Sequence, residues 1–406
     1  MNTMNETLAS WRRELSDELT ERILPFWGAL LDWRSGGISF PGRVDGYGRP
    51  HHDAGVGAVL AARMLWFFSA AYRTTRREEA LTAARRMRRY VGTYLIDRRH
   101  GGVFWELAPD ARPRDCRKQS YAIGFAIYGL AEYARATGDT SASDEATALF
   151  ETLESHAFDA VAGGYVEAFA RDWQPLDDMR LSLRDMNAVF SMNTHLHILE
   201  SYAELLRVAE SERIRQRVVR LLEIFAERIY DRRTGHLNLF FDAAWRPQSD
   251  TVSYGHDIEA SWLIDDAARA AGCSGPETDR LVGALTAAAA EGLQPDGSMA
   301  YEYEPADGRT DADRHWWVQA ESAVGWLNMY ERTGDACFLV RSRRAWRYIS
   351  EHLLDRTAGE WFWSVRADGA VNRIDDKAGF WKCPYHNGRM CMELIRRIDR
   401  ITSSKP

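Results

Sequence analysis

The segment Ser253-Tyr254-Gly255-His256-Asp257-Ile258-Glu259-Ala260-Ser261-Trp262 places a histidine and two carboxylates at the entrance of an otherwise apolar stretch. Gly255 permits a sharp turn, and the residues after it predict a helix running to about Ala271. His256 and Glu259, three apart, share one face of that helix; Asp257 points elsewhere and suits the positive end of the helix dipole. An imidazole beside a buried carboxylate is either a structural polar pair or a tuned proton carrier. Similar residues stand at other apolar helix starts: Arg63, Tyr121, Asn193 with His195, Trp316 and Trp317 with Glu321, and Trp381 with His386. Histidines near neutral pKa suit proton abstraction and return. Two such bases on opposite faces of a carbon next to a carbonyl can invert it through an enediolate, whose charge needs a fixed cation such as Arg63. Indoles cover the C–H face of a sugar ring while carboxylates and amides take its hydroxyls. The set therefore predicts a cofactor-free aldose epimerase or isomerase.

Other chemistries fit less well. No glycine-rich phosphate loop is present. His195 and His197 are two apart and face different directions on a helix, which disfavours a local metal site; His51-His52 reads as a solvated loop pair, and no metal is expected. A glycosidase needs two acids flanking the bond, and here histidines are the more prominent residues. A non-catalytic sugar-binding protein stays open. So do structural readings of single residues: His195 as a hydrogen-bonded core histidine, Arg63 as the ion-pair partner of Glu259 or another acid. His100, His156, His236 and His352 read as turn or surface residues.

The bulk properties narrow the partners. The 406 residues carry a net charge of -7, with 45% hydrophobic and 12% aromatic residues. An acidic chain argues against nucleic acid, and the absence of a run of about 20 apolar residues argues against a membrane span. The polar start, Met1 to Arg13, lacks a signal-peptide core. Five scattered cysteines, Cys116, Cys273, Cys337, Cys383 and Cys391, fit reduced thiols in the cytoplasm. A monomer is expected.

The elements that must position these residues recur along the chain. An acidic residue followed by glycine marks a turn at Asp32–Gly37, Asp97–Gly102, Asp159–Gly164, Asp231–Gly235, Pro295–Gly297 and Asp355–Gly359, roughly every 60 to 70 residues, a spacing typical of repeat architectures. Strand-like runs such as Val103-Phe104-Trp105-Glu106 follow them and predict β-hairpins. Between the turns two kinds of helix alternate. Amphipathic ones begin near 7, 77, 141, 211, 277 and 336; ones apolar nearly all round begin near 56, 118, 187, 255, 316 and 384, and these must be buried on all sides. Six outer–inner hairpins describe an all-α (α/α)6 barrel over residues 1–406, a single domain with its β-hairpins at one rim. An open helical solenoid would show the same period. In the barrel, the starts of the inner helices converge on one cavity.

Several segments resemble the cellobiose 2-epimerases of the N-acylglucosamine 2-epimerase superfamily. They are Ala62-Arg63-Met64-Leu65-Trp66, Ser191-Met192-Asn193-Thr194-His195-Leu196-His197, Tyr254 to Trp262, Arg314 to Glu321 and Phe380-Trp381-Lys382-Cys383-Pro384-Tyr385-His386-Asn387. The resemblance runs from about residue 20 to 395 and implies an (α/α)6 barrel that interconverts glucose and mannose at the reducing end of β-1,4-linked disaccharides. It implies His256 and His386 as the acid/base pair at C2, His195 assisting ring opening, Arg63 holding the enediolate oxygens and Glu259 orienting its neighbours. Trp316, Trp317 and Trp381 would pack on the sugars, with Tyr121, Asp185, Asn193 and Glu321 hydrogen-bonding. The chain departs from the family pattern at Ala61, where asparagine is usual, at Ile123, where glutamine is usual, and at Ala188-Val189-Phe190. These departures predict a less polar pocket and leave a monosaccharide open as substrate, as in a mannose 2-epimerase or a mannose–fructose isomerase.

Overall fold

The computed structural model describes residues 2–31 and 39–403; the first glycine turn, Asp32–Gly37, lies outside them. The chain begins with α1 (Asn2–Glu18) and α2 (Leu24–Leu30). It then alternates inner and outer helices: α3 (Ala58–Thr75), α4 (Glu78–Tyr90), α5 (Ser120–Thr137), α6 (Thr140–His156), α7 (Met192–Ala209), α8 (Glu212–Ile224), α9 (Tyr254–Ala271), α10 (Pro276–Ala289), α11 (Trp316–Thr333), α12 (Ala336–Tyr348) and α13 (Tyr385–Ser403). The odd-numbered helices from α3 to α13 pack side by side, and α13 returns against α3. That last contact closes the ring and rules out an open solenoid. The even-numbered helices from α4 to α12 pack outside, and α1 covers α13. The fold is the (α/α)6 barrel.

The reason lies in the two helix types. The inner helices are buried over nearly their whole length; α5 is buried from Ser120 to Ala134. On α8 only one stripe is buried, Ile214, Val218, Leu221 and Ile224, so its other faces meet water. Inner helices stop on left-handed caps, Gly138 (φ 77°), Gly272 (φ 65°) and Gly334 (φ 73°) among them. After two of these, an aspartate starts the outer helix: Asp139 accepts from Ser141 N–H and Asp335 from Cys337 N–H, both at 2.9 Å. Glycine and N-cap together make a reversal of a few residues.

At the opposite end, each described glycine turn closes a very short hairpin, for example Ile96 with Val103 and Leu354 with Trp361. The strand pairing that builds the rim runs between successive repeats, and α3, α5, α7, α9 and α11 are each entered from a two-residue strand. Lys118–Gln119 pairs with Ala168–Phe169, Phe190–Ser191 with Phe240–Phe241, Val252–Ser253 with the strand from Glu302, and Arg314–His315 with Ser364–Val365. The bridge of Val44 to Ala378 joins the last repeat to the first. This stitching fixes where each inner helix starts. It also moves the third start from near 187 to Met192, because Phe190 and Ser191 are held in the rim strand. No described helix is long and apolar enough to cross a membrane.

His195 belongs to this stitching. It is fully buried. Its Nδ1 lies 2.7 Å from the carbonyl of Ser191 and its Nε2 accepts the backbone N–H of Tyr165 at 3.0 Å. Phe190, Trp245 and Tyr165 enclose the ring. Both nitrogens are thus spent on backbone, and burial lowers the imidazole pKa to about 4.

Two outcomes follow. Gly334→Ala should destabilise by about 1 kcal/mol through backbone strain, because no atom lies within 4 Å of the added Cβ; a urea midpoint measures it. His195 stays neutral in the folded chain while the unfolded chain binds its proton from about pH 6.5 downward, so stability should fall as the pH drops below 6.5. At pH 5 the contribution of this one group is about 2 kcal/mol. In His195→Gln the stability–pH slope over pH 6.5 to 4 should flatten by one proton, read from urea midpoints at each pH.

Candidate active site

The rim-side ends of the inner helices bring together residues scattered along the chain. On α9, His256 is half-buried and its Nδ1 lies 2.8 Å from the hydroxyl of Ser253. On α13, His386 is 7% exposed, with Nδ1 2.7 Å from Glu321 of α11. Both imidazoles lie against one indole, Trp317, with ring centroids 4.7 Å and 5.8 Å away. Close approach at this place depends on Gly255, where a Cβ would come within 2.6 Å of the Trp317 ring. Gly255 has ordinary helical backbone, so its role is to admit the indole rather than to turn the chain. Burial pushes the His256 pKa down to about 3. Burial, followed by the charges of Arg63 and Arg389, holds His386 well below the usual imidazole value. Both rings are therefore neutral at pH 7, and no hydrogen bond engages either Nε2 among the described residues.

Arg63 of α3 is 3% exposed. Its Nη2 donates to the Tyr121 hydroxyl at 2.8 Å and its Nη1 reaches the carbonyl of Trp381 at 3.5 Å. Its guanidinium lies over the rings of Phe125 and Tyr385, 4.0 and 4.3 Å from their centroids, and Nε is unpaired. No described carboxylate comes within ion-pair distance, so the expected structural pair with Glu259 is absent and the charge is not cancelled locally. Trp381 is half-buried beside Trp105, Phe380 and Tyr121. Asn193 is half-buried with a side-chain oxygen that accepts nothing, and the Trp316 N–H is likewise buried without an acceptor.

The third histidine of the cluster is His197, not His195. His197 is 3% exposed, sits edge-on to Tyr121 at 5.2 Å and places Nδ1 3.0 Å from Glu200. Two residues of helix turn the side chain by about 200°, so only one of the pair can face the centre, and the rim backbone claims His195. Asn193, His197 and Glu200 lie at i, i+4 and i+7 on one face, a signal already present in the sequence. His236 also departs from the surface role expected of it: it is 6% exposed and its Nδ1 lies 2.7 Å from Asp257. Asp257 further accepts the Leu237 N–H at 3.0 Å, so this acid anchors the preceding turn.

Glu259 and Glu321 are each 1% exposed. Glu321 also accepts the Trp262 N–H at 3.0 Å. Burial raises Glu259 to about 7, with the neighbouring Glu321 charge adding to the shift. Glu259, Glu321 and His386 are spaced as a metal-binding triad would be. Arg389 Nη2 already bonds both carboxylates, at 2.5 and 2.7 Å, so a guanidinium stands in the position a cation would take.

Asp185 is set apart from this cluster, on the segment joining the rim strands before α7. It accepts the Ser182 N–H at 2.8 Å; burial makes Tyr301 and Glu302 weaker acids, and the Asp185 charge adds to that shift from across the rim. There Tyr301 stacks on His315 at 4.0 Å, and Trp316 meets Trp363 at 4.4 Å. Ile123 is fully buried under the second glycine turn, its Cδ1 3.1 Å from the Cβ position of Gly102. Its departure from the family pattern therefore fills a packing site below the rim.

The comparisons with known proteins agree with this geometry. Residues 38–388 match the family model described as N-acylglucosamine 2-epimerase. The cellobiose 2-epimerase of Bacteroides fragilis is 50% identical over 387 residues, covering 95% of this chain and 98% of that one. The cellobiose 2-epimerase of Ruminococcus albus is 37% identical over 95% of this chain and 98% of its own. The solved cellobiose 2-epimerase from Bacillus thermoamylovorans superposes with a TM-score of 0.92 at 40% identity, covering 96% of this chain and all of that one. A D-mannose isomerase structure, at 18% identity and a TM-score of 0.79, shares the fold. With its closed double ring of helices and its paired rim histidines, the chain belongs to the N-acylglucosamine 2-epimerase family of isomerases.

Proposed function

We propose that this protein is a carbohydrate 2-epimerase that inverts C2 of a reducing-end aldose, the glucose or mannose unit of a β-1,4-linked disaccharide such as cellobiose or lactose. The observation that carries this reading is the pair of neutral imidazoles, His256 and His386, against one indole, each with Nδ1 engaged and Nε2 available. With the sugar ring open, one Nε2 removes the C2 proton and the electrons pass to the carbonyl, giving an enediolate. Arg63, uncancelled by any carboxylate, stabilises the negative oxygens, with the Tyr121 hydroxyl beside it. The second imidazole, protonated on Nε2 from solvent before this step, delivers that proton to the opposite face of C2; the first releases to solvent the proton it took, and ring closure completes the inversion. His197 stands beside Tyr121 and takes the part in C1–C2 proton traffic that the resemblance gave to His195. The Asn193 side-chain oxygen and the Trp316 N–H, both unpaired, are ready to accept from and donate to hydroxyls. Trp317 and Trp381 offer apolar faces.

A disaccharide suits the rim. The stacked Tyr301 and His315, together with Trp363, continue the aromatic surface outward from Trp316, and Asp185 reaches the same side of the mouth. The curated relatives named cellobiose 2-epimerase support the same substrate class. We infer further that one domain spans the chain and works as a monomer in the cytoplasm, which the five unpaired cysteines support.

Incubation with cellobiose or lactose in deuterated water should give the C2 epimer carrying solvent deuterium at C2. Inversion of mannose or glucose alone, or a ketose as the main product, would replace this reading with a monosaccharide epimerase or an aldose–ketose isomerase. His256→Asn and His386→Asn should each lower kcat by about 10²- to 10⁴-fold, with the thermal melt unchanged. Arg63→Met should lower kcat by a comparable factor, roughly 10²- to 10³-fold, since it stabilises charge present only in the transition state and intermediate. Sugar binding that survives with no turnover in the wild type would instead indicate a binding protein.

A further inference from the structure

Beneath the imidazoles the helical ring encloses a guanidinium that the reaction scheme above does not use. Arg389 of α13 is 2% exposed. Its Nη1 donates to Glu200 of α7 at 2.5 Å and also bonds the Tyr385 hydroxyl. Its Nη2 donates to Glu259 of α9 at 2.5 Å and to Glu321 of α11 at 2.7 Å. Three carboxylates from three helices thus meet one cation from a fourth, and all three acids are buried. Only a planar fork with several fixed donors can satisfy such a set. The guanidinium packs over Trp262 and Tyr385, 4.7 and 4.1 Å from their centroids.

Two of these acids carry a histidine as well. Glu200 Oε2 lies 3.0 Å from Nδ1 of His197, and Glu321 Oε1 lies 2.7 Å from Nδ1 of His386; Glu259 Oε1 is 4.0 Å from the same His386 nitrogen. An ionised carboxylate only accepts, so it selects the tautomer with hydrogen on Nδ1 and leaves Nε2 as the basic nitrogen. Without a cation, three buried carboxylates this close could not all stay ionised, and the Nδ1 contacts would lose their acceptors.

We propose that Arg389 is a positioning residue for proton transfer: it keeps Glu200 and Glu321 ionised and aimed at Nδ1 of His197 and His386, so that both rings present a bare Nε2 to the substrate. This rests on the epimerase reading given above. Burial raises Glu321 and Glu259, and in both Arg389 pulls the other way; at Glu200 that pull prevails. Burial pushes Glu200 up, but Arg389, His197 and Tyr385 outweigh it and hold it at about 2. The groups facing the set are Arg63 from α3, Tyr128 from α5, His197, Glu200 and Glu204 from α7, His256 and Glu259 from α9, Glu321 from α11, and Tyr385 and His386 from α13.

The test compares the full-length wild type with Arg389→Gln, Arg389→Lys, Glu200→Gln and Glu321→Gln. Epimerisation kinetics across pH and the 15N shifts of the imidazoles are the readouts. Arg389→Gln should lower kcat roughly 10- to 100-fold with KM within about threefold, as expected for a group that acts through the proton carriers. Losing the cation favours the imidazolium, so the acid limb of kcat/KM should move up by about one pH unit. Glu321→Gln should move that limb the other way. Arg389→Lys, which keeps the charge but not the fork, should keep the wild-type limb while kcat stays low. In the wild type, both His197 and His386 should show the Nδ1–H tautomer. A uniform loss of rate with an unmoved limb, a change in KM alone, or Nε2–H tautomers in the wild type would overturn the proposal. If Arg389→Gln fails to fold, the two glutamate variants carry the test through the same limb and tautomer readouts. If the wild type inverts no sugar, the epimerase reading fails, and the tautomers still decide the role of Arg389.

Discussion

Inner helices that are apolar nearly all round, such as α3 and α5, have one stable arrangement available: each must be covered on every side. A closed ring wrapped in a second ring does this, and everything else in the molecule follows from it. The contact of α13 with α3 is where the constraint is met, since an open array would leave two such helices half-exposed. Hydrophobic burial of that scale is the main term opposing chain entropy. It also allows buried charges such as those of Glu200, Glu259, Glu321 and Arg389, which partners from neighbouring helices meet.

The two ends of the ring have different work. Where inner helices stop, glycine in a left-handed conformation and an aspartate cap reverse the chain in a few residues. Where inner helices begin, α3, α5, α7, α9 and α11 enter from strands pinned to the following repeat. Side chains of the first turns are therefore held by backbone hydrogen bonds on one side and by helix packing on the other. That is the rigidity a proton-transfer site needs, as small misplacements are expensive in rate. His195 shows what the rim requires, with both ring nitrogens given to backbone groups.

The electrostatics are layered. Nearest the mouth are residues with unspent hydrogen-bonding capacity: Asn193, Trp316 and the Nε2 atoms of His256 and His386. Below them lie carboxylates that orient imidazoles, and below those the guanidinium of Arg389. The carboxylates and the guanidinium are all buried, which strengthens the interactions among them. Arg63 stands apart as the one cation of the cluster whose neighbours are a phenol, a carbonyl and aromatic rings rather than a carboxylate. Its charge is left for a ligand.

The sequence alone determined the alternation of helices and the turns between them, because apolar periodicity and glycine placement are local properties that report burial directly; the contact of α13 with α3 decided that the barrel closes. It also located His256, Glu259, Trp316, Trp317, Glu321 and His386, since polar residues interrupting an apolar helix start are conspicuous. Only the tertiary structure decided which of His195 and His197 faces the centre. That choice depends on the rotation of α7 about its axis, which the rim strand at Phe190–Ser191 sets and no single residue announces. The same holds for Arg389 and Glu200, which look like ordinary helix charges until four helices bring them together. Asp185 could be placed near the mouth only by the path of its loop. Local pattern records how deeply a residue is buried; the neighbour it meets there is settled by how distant segments pack.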